Sequence, residues 1–147
     1  MFLGRFQHTI DSKGRLSVPV RFREILKEKY EEGLVVTADI DHCLVAFPTE
    51  EWRLFVDRTK QAPNMQKEVK EFMRFSYSRA DECPLDRQGR ILISPGLREH
   101  ASLRKQVVVI GVDSKFELWN PERWEQKEAA ISQNFEKIGT TLAGLGL

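Results

Sequence analysis

The segment Asp11-Ser12-Lys13-Gly14-Arg15-Leu16-Ser17-Val18-Pro19 returns seventy-five positions later as Asp86-Arg87-Gln88-Gly89-Arg90-Ile91-Leu92-Ile93-Ser94-Pro95, with Asp, Gly, Arg and the apolar positions in register. Asp-x-x-Gly makes a turn, because the aspartate side chain accepts a backbone N–H two residues on and the glycine takes the left-handed conformation that closes a hairpin with a bulge. Asp11 and Gly14, and again Asp86 and Gly89, are therefore read as structural turn residues. Arg15 and Arg90 follow at the root of each turn, where a guanidinium pairs with the turn aspartate or reaches phosphate and base edges. A structural ion pair is the simpler account of one copy. Two copies, each followed by strand, proline and a basic segment, favour a surface that is used twice.

Other chemistry finds less support. Asp11 and Asp86 as an acid and base pair are disfavoured by the arginine four residues on, which lowers a carboxylate pKa, the wrong direction for a general acid. Asp39-Ile40-Asp41-His42-Cys43 gathers side chains that bind metals, but neither His8 nor His100 completes a zinc spacing, so a polar hairpin loop is expected and no metal. There is no Gly-rich phosphate loop, nucleophile elbow or HExxH, so no enzyme and no cofactor are expected. Two cysteines, Cys43 and Cys83, form neither a disulfide framework nor a metal pair and are read as buried thiols.

Several elements must position the loops. Strands are expected at Arg5 to Ile10 and through Leu16 and Val18, whose alternation turns Arg15 and Ser17 away from the core. Phe22, Ile25, Leu26 and Tyr30 form the stripe of a short helix, and Leu34 to Ala38 with Cys43 to Phe47 read as a hairpin. In the second copy Leu97-Arg98 stands where Phe22-Arg23 stood, and Val107 to Gly111 with Phe116 to Trp119 match the hairpin. Phe47-Pro48-Thr49-Glu50-Glu51-Trp52 aligns with Trp119-Asn120-Pro121-Glu122-Arg123-Trp124, so three residues have gone from the second copy between helix and hairpin. Thr49 or Asn120 is expected to cap a helix carrying Trp52, Phe55 and Val56, or Trp124, Ile131, Phe135 and Ile138. An amphipathic segment from Asn64 to Tyr77, entered at Pro63, joins the copies. The Gly- and Thr-rich tail Gly139 to Leu147 is expected to be loose, with Leu142, Leu145 and Leu147 able to dock on a neighbouring subunit. These readings divide the chain into repeat 1 (5–51), connecting helices (52–79), repeat 2 (80–123) and a C-terminal helix and tail (124–147).

Of 147 residues, 41% are apolar and 31% charged, the balance of a soluble globular protein with no membrane-length apolar run. The first residues lack the apolar stretch and cleavage site of a signal peptide, so a cytoplasmic location is expected. A net charge of +1 argues against nucleic acid until its distribution is read. Residues 1–30 carry +4 and residues 85–105 carry +3, leaving −6 for the rest. Charge this uneven makes a basic face on a nearly neutral protein.

On these residues the chain resembles the MraZ family, transcriptional regulators built from two SpoVT-AbrB-type repeats with a DxxxR signature in each. The match is Asp11 to Arg15 and Asp86 to Arg90, extends over Met1 to Trp124, and includes the Phe-Glu-Leu-Trp run at 116–119. The resemblance implies an α+β fold with a mainly β core, an intrachain swapped-hairpin AbrB-like barrel flanked by amphipathic helices. It implies a ring-shaped homo-oligomer on the nucleoid that binds double-stranded DNA at repeated boxes ahead of the division and cell-wall gene cluster, with repression the expected sign. Arg15 and Arg90, with Lys13 and Arg87, would contact DNA; Arg21, Arg23 and Arg98 are second-tier candidates, since other AbrB-type modules place basic residues there. Gln88 in place of Lys13, and a displaced Pro95, lead us to expect a weaker second loop. The rival readings are a protein-binding module of antitoxin type and an enzyme.

Overall fold

The duplicated segments do not fold side by side; each lends its first strand to the other's hairpin. The computed structural model describes residues 1–31, 33–61 and 66–147. Strand β1 (Arg5–Thr9) leads through the first loop to β2 (Arg15–Ser17), and helix α1 (Val20–Lys29) follows Pro19. The hairpin β3 (Gly33–Ala38) and β4 (Leu44–Pro48) completes the first copy, with α2 (Thr49–Gln61) and α3 (Lys67–Ser78) behind it. The second copy repeats the order as β5 (Asp81–Pro84), β6 (Arg90–Leu92), α4 (Pro95–His100), β7 (Gln106–Val112) and β8 (Lys115–Trp119). Helices α5 (Pro121–Gln133) and α6 (Phe135–Gly144) end the described chain.

The strands β1-β7-β8-β4-β3-β5 make one antiparallel sheet, so β1 of the first copy lies on the second copy's hairpin and β5 on the first copy's. Strands β2 and β6 form a separate two-stranded sheet. The fold is α+β, with a mostly antiparallel sheet and six helices among the described residues. The expected closed barrel is not found among them: the large sheet is open, with β1 and β5 at its edges. The arms of the first Asp-x-x-Gly turn share the Ile10–Leu16 bridge and the Asp11 N–H to Arg15 O bond and then part, β1 to β7 and β2 to β6, so the turn does not continue into the hairpin anticipated from its residues.

Alternation decides what the core takes. Leu16 and Val18 are buried, as are Ile91 and Ile93, and they meet Phe22, Leu26 and Leu97 in the main cluster. Phe2 lies at the centre of an aromatic group, its ring centroid 5.0 Å from Phe22 and 5.4 Å from Phe116. Strands β3 and β4 are buried almost throughout because they are covered on both sides. On the side away from the main cluster, Phe47 packs on Trp52 and Phe55, and Thr37 Oγ1 donates to Ser76 O at 2.6 Å.

Helix ends follow their residues. Asn120 Oδ1 caps α5, accepting the N–H groups of Glu122 and Arg123 at 2.9 and 3.1 Å, while Thr49 is the first residue of α2. Ser94 caps α4 where the first copy has Pro19, which places Pro95 in the first turn, where a missing N–H costs nothing. The amphipathic segment joining the copies is helical from Lys67; its expected start at Pro63, Asn64 and Met65 lies outside the described residues. The tail expected to be loose is instead helical through Gly144, since Phe135, Ile138 and Leu142 recur at spacings of three and four. Phe135, at 62% exposure, leaves that stripe largely uncovered.

Candidate nucleic-acid interface

Both loops fold in the same way, and the aspartate organises each. Asp11 Oδ1 accepts the backbone N–H groups of Lys13 and Arg15, both at 2.9 Å, and Oδ2 accepts Arg15 Nε at 2.7 Å. Asp86 repeats this with Gln88 and Arg90, its Oδ2 accepting Arg90 Nε at 2.8 Å. Gly14 and Gly89 close the turns at φ 86° and 75°, each donating its N–H to the carbonyl of its aspartate at 3.0 Å. The Arg15 backbone N–H, with the Arg15 guanidinium and the Lys13 N–H adding to it against burial, holds the Asp11 carboxyl down at about 2. Asp86 is lowered by the same groups at its own loop, the Arg90 N–H first. Both carboxylates are ionised and engaged, so neither is available as a general acid.

The loops are also tied to each other. Gly89 O accepts Val18 N–H at 3.0 Å and Gly14 O accepts Ile93 N–H at 2.9 Å, so each turn is buttressed by the strand exit of the opposite repeat. Pairing of Arg15 with Leu92, Leu16 with Ile91 and Ser17 with Arg90 makes a short antiparallel ribbon. Cross-strand partners share a face and alternate along the strand. Leu16 and Ile91 therefore point into the core, while Arg15, Ser17, Arg90 and Leu92 form the outer face, the two arginines about 7 Å apart along the ribbon. Each arginine commits Nε to its aspartate, and the Nη groups of Arg15 make no hydrogen bond among the described residues.

The remaining sequence candidates divide by position. Lys13 and Arg87 stand exposed at the two loops, and Arg21 is exposed on α1. Arg23 and Arg98 are partly buried and act as props: Arg23 Nη1 donates to Gln88 O at 3.4 Å, and Arg98 Nε donates to Ile93 O at 3.0 Å. A Cβ on Gly89 would overlap the Arg23 side chain, and one on Gly14 would stand 3.2 Å from Arg98 Cζ. Gly89 is thus required twice, for backbone conformation and for the arginine beneath, whereas Gly14 is required for its backbone conformation. Residue reasoning missed this bracing, although Arg23 and Arg98 carry the same seventy-five-residue offset as the glycines they support. It also missed Leu92, 60% exposed beside Arg15; the alternation Ile91-Leu92-Ile93 already put it on the outer face.

Elsewhere, Cys43 and Cys83 are free and buried, and burial raises both thiols, that of Cys83 to about 11. Among the described residues no group of three or more His, Cys, Asp or Glu is placed to hold a metal, and no helix is long and apolar enough to cross a membrane.

Comparison with known proteins agrees with this arrangement of two equivalent loops. The family model described as "MraZ protein, putative antitoxin-like" matches residues 1–75 and again 77–145, once per repeat. The chain is 42% identical to the transcriptional regulator MraZ of Pediococcus pentosaceus and to that of Ligilactobacillus salivarius, over 147 residues and the full length of each protein. It is 42% identical over 145 residues to the protein of the same name from Desulforamulus reducens, covering 99% of both chains. With a family model matched in both halves and relatives aligned end to end, the chain belongs to the MraZ family.

Proposed function

We propose that this chain is a non-enzymatic, sequence-specific DNA-binding transcriptional regulator whose outer ribbon face and two flanking loops meet double-stranded DNA. The observation that carries the reading is the ribbon itself. A two-stranded β-ribbon is one of the few elements that the major groove admits, and here it presents Arg15 and Arg90 outward with Lys13 and Arg87 at its ends. Its arginines are oriented by their aspartates in advance, so little side-chain entropy is lost on contact. Relatives named as transcriptional regulators support the same conclusion. Within this reading the two sheets act as one barrel-like core, the protein works as a ring-shaped oligomer on the nucleoid, and its targets are repeated boxes ahead of the division and cell-wall cluster, where it represses. About three or four phosphate contacts per subunit bind weakly alone; several subunits on matched boxes gain affinity by avidity.

The test is a band-shift titration against the DNA upstream of the chain's own gene at several salt concentrations. Binding at least about a thousandfold tighter than to random duplex is expected. Equal affinity for both duplexes would refute the regulator reading. A second reading, an antitoxin-type protein-binding module, is favoured by the apolar residues left exposed on α6 and at its end, Phe135, Leu142 and Leu145. A foreign protein retained by the full chain and lost on removing residues 139–147 would support it.

A further inference from the structure

The loop-bracing arginine is the same residue in both repeats, but its surroundings differ. Arg98 Nε is satisfied by Ile93 O at 3.0 Å. Arg23 Nε is buried and has no hydrogen-bond partner among the described residues, its side chain holding Gln88 O only through Nη1. A buried guanidinium N–H without an acceptor is costly, and an acceptor arriving from outside removes that cost.

Beside Arg23, a cleft of about 300 Å³ opens between α1 and the 86–89 loop. Its volume lies at the lower end of the range of small-molecule sites, roughly 300–1,000 Å³. Lys27 and Arg87 join Arg23 in its lining, and Val20, 59% exposed, and Leu85 supply an apolar wall. Two carboxylates also line it. Asp86 is already engaged by Gln88 and Arg90, whereas Glu24 makes no hydrogen bond or ion pair among the described residues. The duplication accounts for Arg23 but not for Lys27 and Arg87. At the other loop the equivalents of Arg87 and Lys27, seventy-five residues away, are Ser12 and Ser102, and α4 ends at His100, before the second of them. Lys27 and Arg87 therefore add positive charge beside Arg23 at one of the two loops only.

We propose that this cleft binds a phosphate-bearing small molecule of the nucleoside monophosphate class. Arg23, Lys27 and Arg87 hold the phosphate, Val20 and Leu85 pack against the flat base, and Glu24 accepts a hydrogen bond from a sugar hydroxyl. Arg87 also belongs to the proposed DNA face, so ligand and duplex compete for it; this competition rests on the regulator reading, whereas ligand binding does not.

The experiment is calorimetric titration of the full chain, without DNA, with adenosine 5′-monophosphate, inorganic phosphate and adenosine in turn. Saturable binding of the monophosphate at one per chain is expected, about tenfold or more tighter than adenosine. Lys27→Ala, at an exposed position outside the proposed DNA face, weakens it about fivefold or more with an unchanged thermal midpoint, and Glu24→Gln strengthens binding of inorganic phosphate. Equal affinity for monophosphate and adenosine, or no effect of Lys27→Ala, overturns the proposal. It is also overturned if neither phosphate compound binds and Lys27→Ala weakens only duplex binding, which assigns the cleft to the DNA backbone. If the monophosphate binds but promoter DNA does not, the ligand site stands and the regulator reading falls.

Discussion

Nη1 of Arg90 stands 3.9 Å from Oδ2 of Asp11, the turn carboxylate of the opposite repeat, while Nε of Arg90 holds its own Asp86 at 2.8 Å. One guanidinium thus links both loops. No corresponding ion pair joins Arg15 to Asp86 among the described residues, so the duplicated motif is geometrically twofold and electrostatically uneven. The first loop keeps the freer arginine, with 32% side-chain exposure against 25% for Arg90.

Acid should release the first loop late. The Asp11 carboxyl is held at about 2 instead of its ordinary 3.8, chiefly by the Arg15 backbone N–H. A lowered folded-state pKa contributes stability that is present above the unfolded value and is lost as pH falls toward the folded one. The stabilisation from Asp11 is therefore complete above about pH 4 and disappears between there and pH 2. Urea midpoints measured from pH 5 to pH 2 should fall more steeply for the native chain than for Asp11→Asn. Parallel curves would show that the loop hydrogen bonds do not contribute.

Gly89→Ala should destabilise the fold by about 1–3 kcal/mol, through left-handed backbone strain together with overlap on Arg23. The Arg23→Ala background separates these. Removing the side chain relieves the overlap and leaves the strain, so the Gly89→Ala penalty should shrink but persist in the double variant. Additive penalties in thermal melts would mean that Arg23 does not brace the loop.

Phe2→Ala should cost about 3–5 kcal/mol, because its fully buried ring joins Phe22, Phe116 and Tyr30 across the two repeats. Urea unfolding measures this directly. A loss under about 1 kcal/mol would mean that the first residues detach readily from β7.

Phe2 also marks the limit of what residue order reveals. Nothing periodic surrounds it, and its burial depends on the bridge between Phe2 and Asp113, a partner more than a hundred residues away. The same holds for strand exchange. Alternation at Leu16, Val18, Ile91 and Ile93 announced two strands with a buried side, but pairing of β2 with β6 is a long-range choice that local spacing does not encode. The turns were legible because Asp-x-x-Gly is self-contained: its hydrogen bonds lie within five residues. Arg23 and Arg98 were visible as charges, and their bracing role was not, because it depends on which glycine each one meets.

Replacing the two loop arginines separates structure from recognition. Arg90→Ala removes the group joining Asp86 and Asp11, so it should lower the thermal midpoint more than Arg15→Ala does. Arg15→Ala should instead weaken promoter binding with little loss of stability, because the more exposed side chain has less to hold together. Removing one cation that neutralises a phosphate should reduce the slope of log affinity against log salt by about 0.9. Lys13→Ala and Arg87→Ala, at exposed loop positions, should reduce that slope without shifting the midpoint. Leu92→Ala should leave the slope unchanged and lessen discrimination between promoter and random duplex, as expected for an apolar group against a base edge. If both arginine variants melt early and bind promoter DNA like the native chain, the arginines serve only as ion-pair partners, and the ribbon face is not the reading surface.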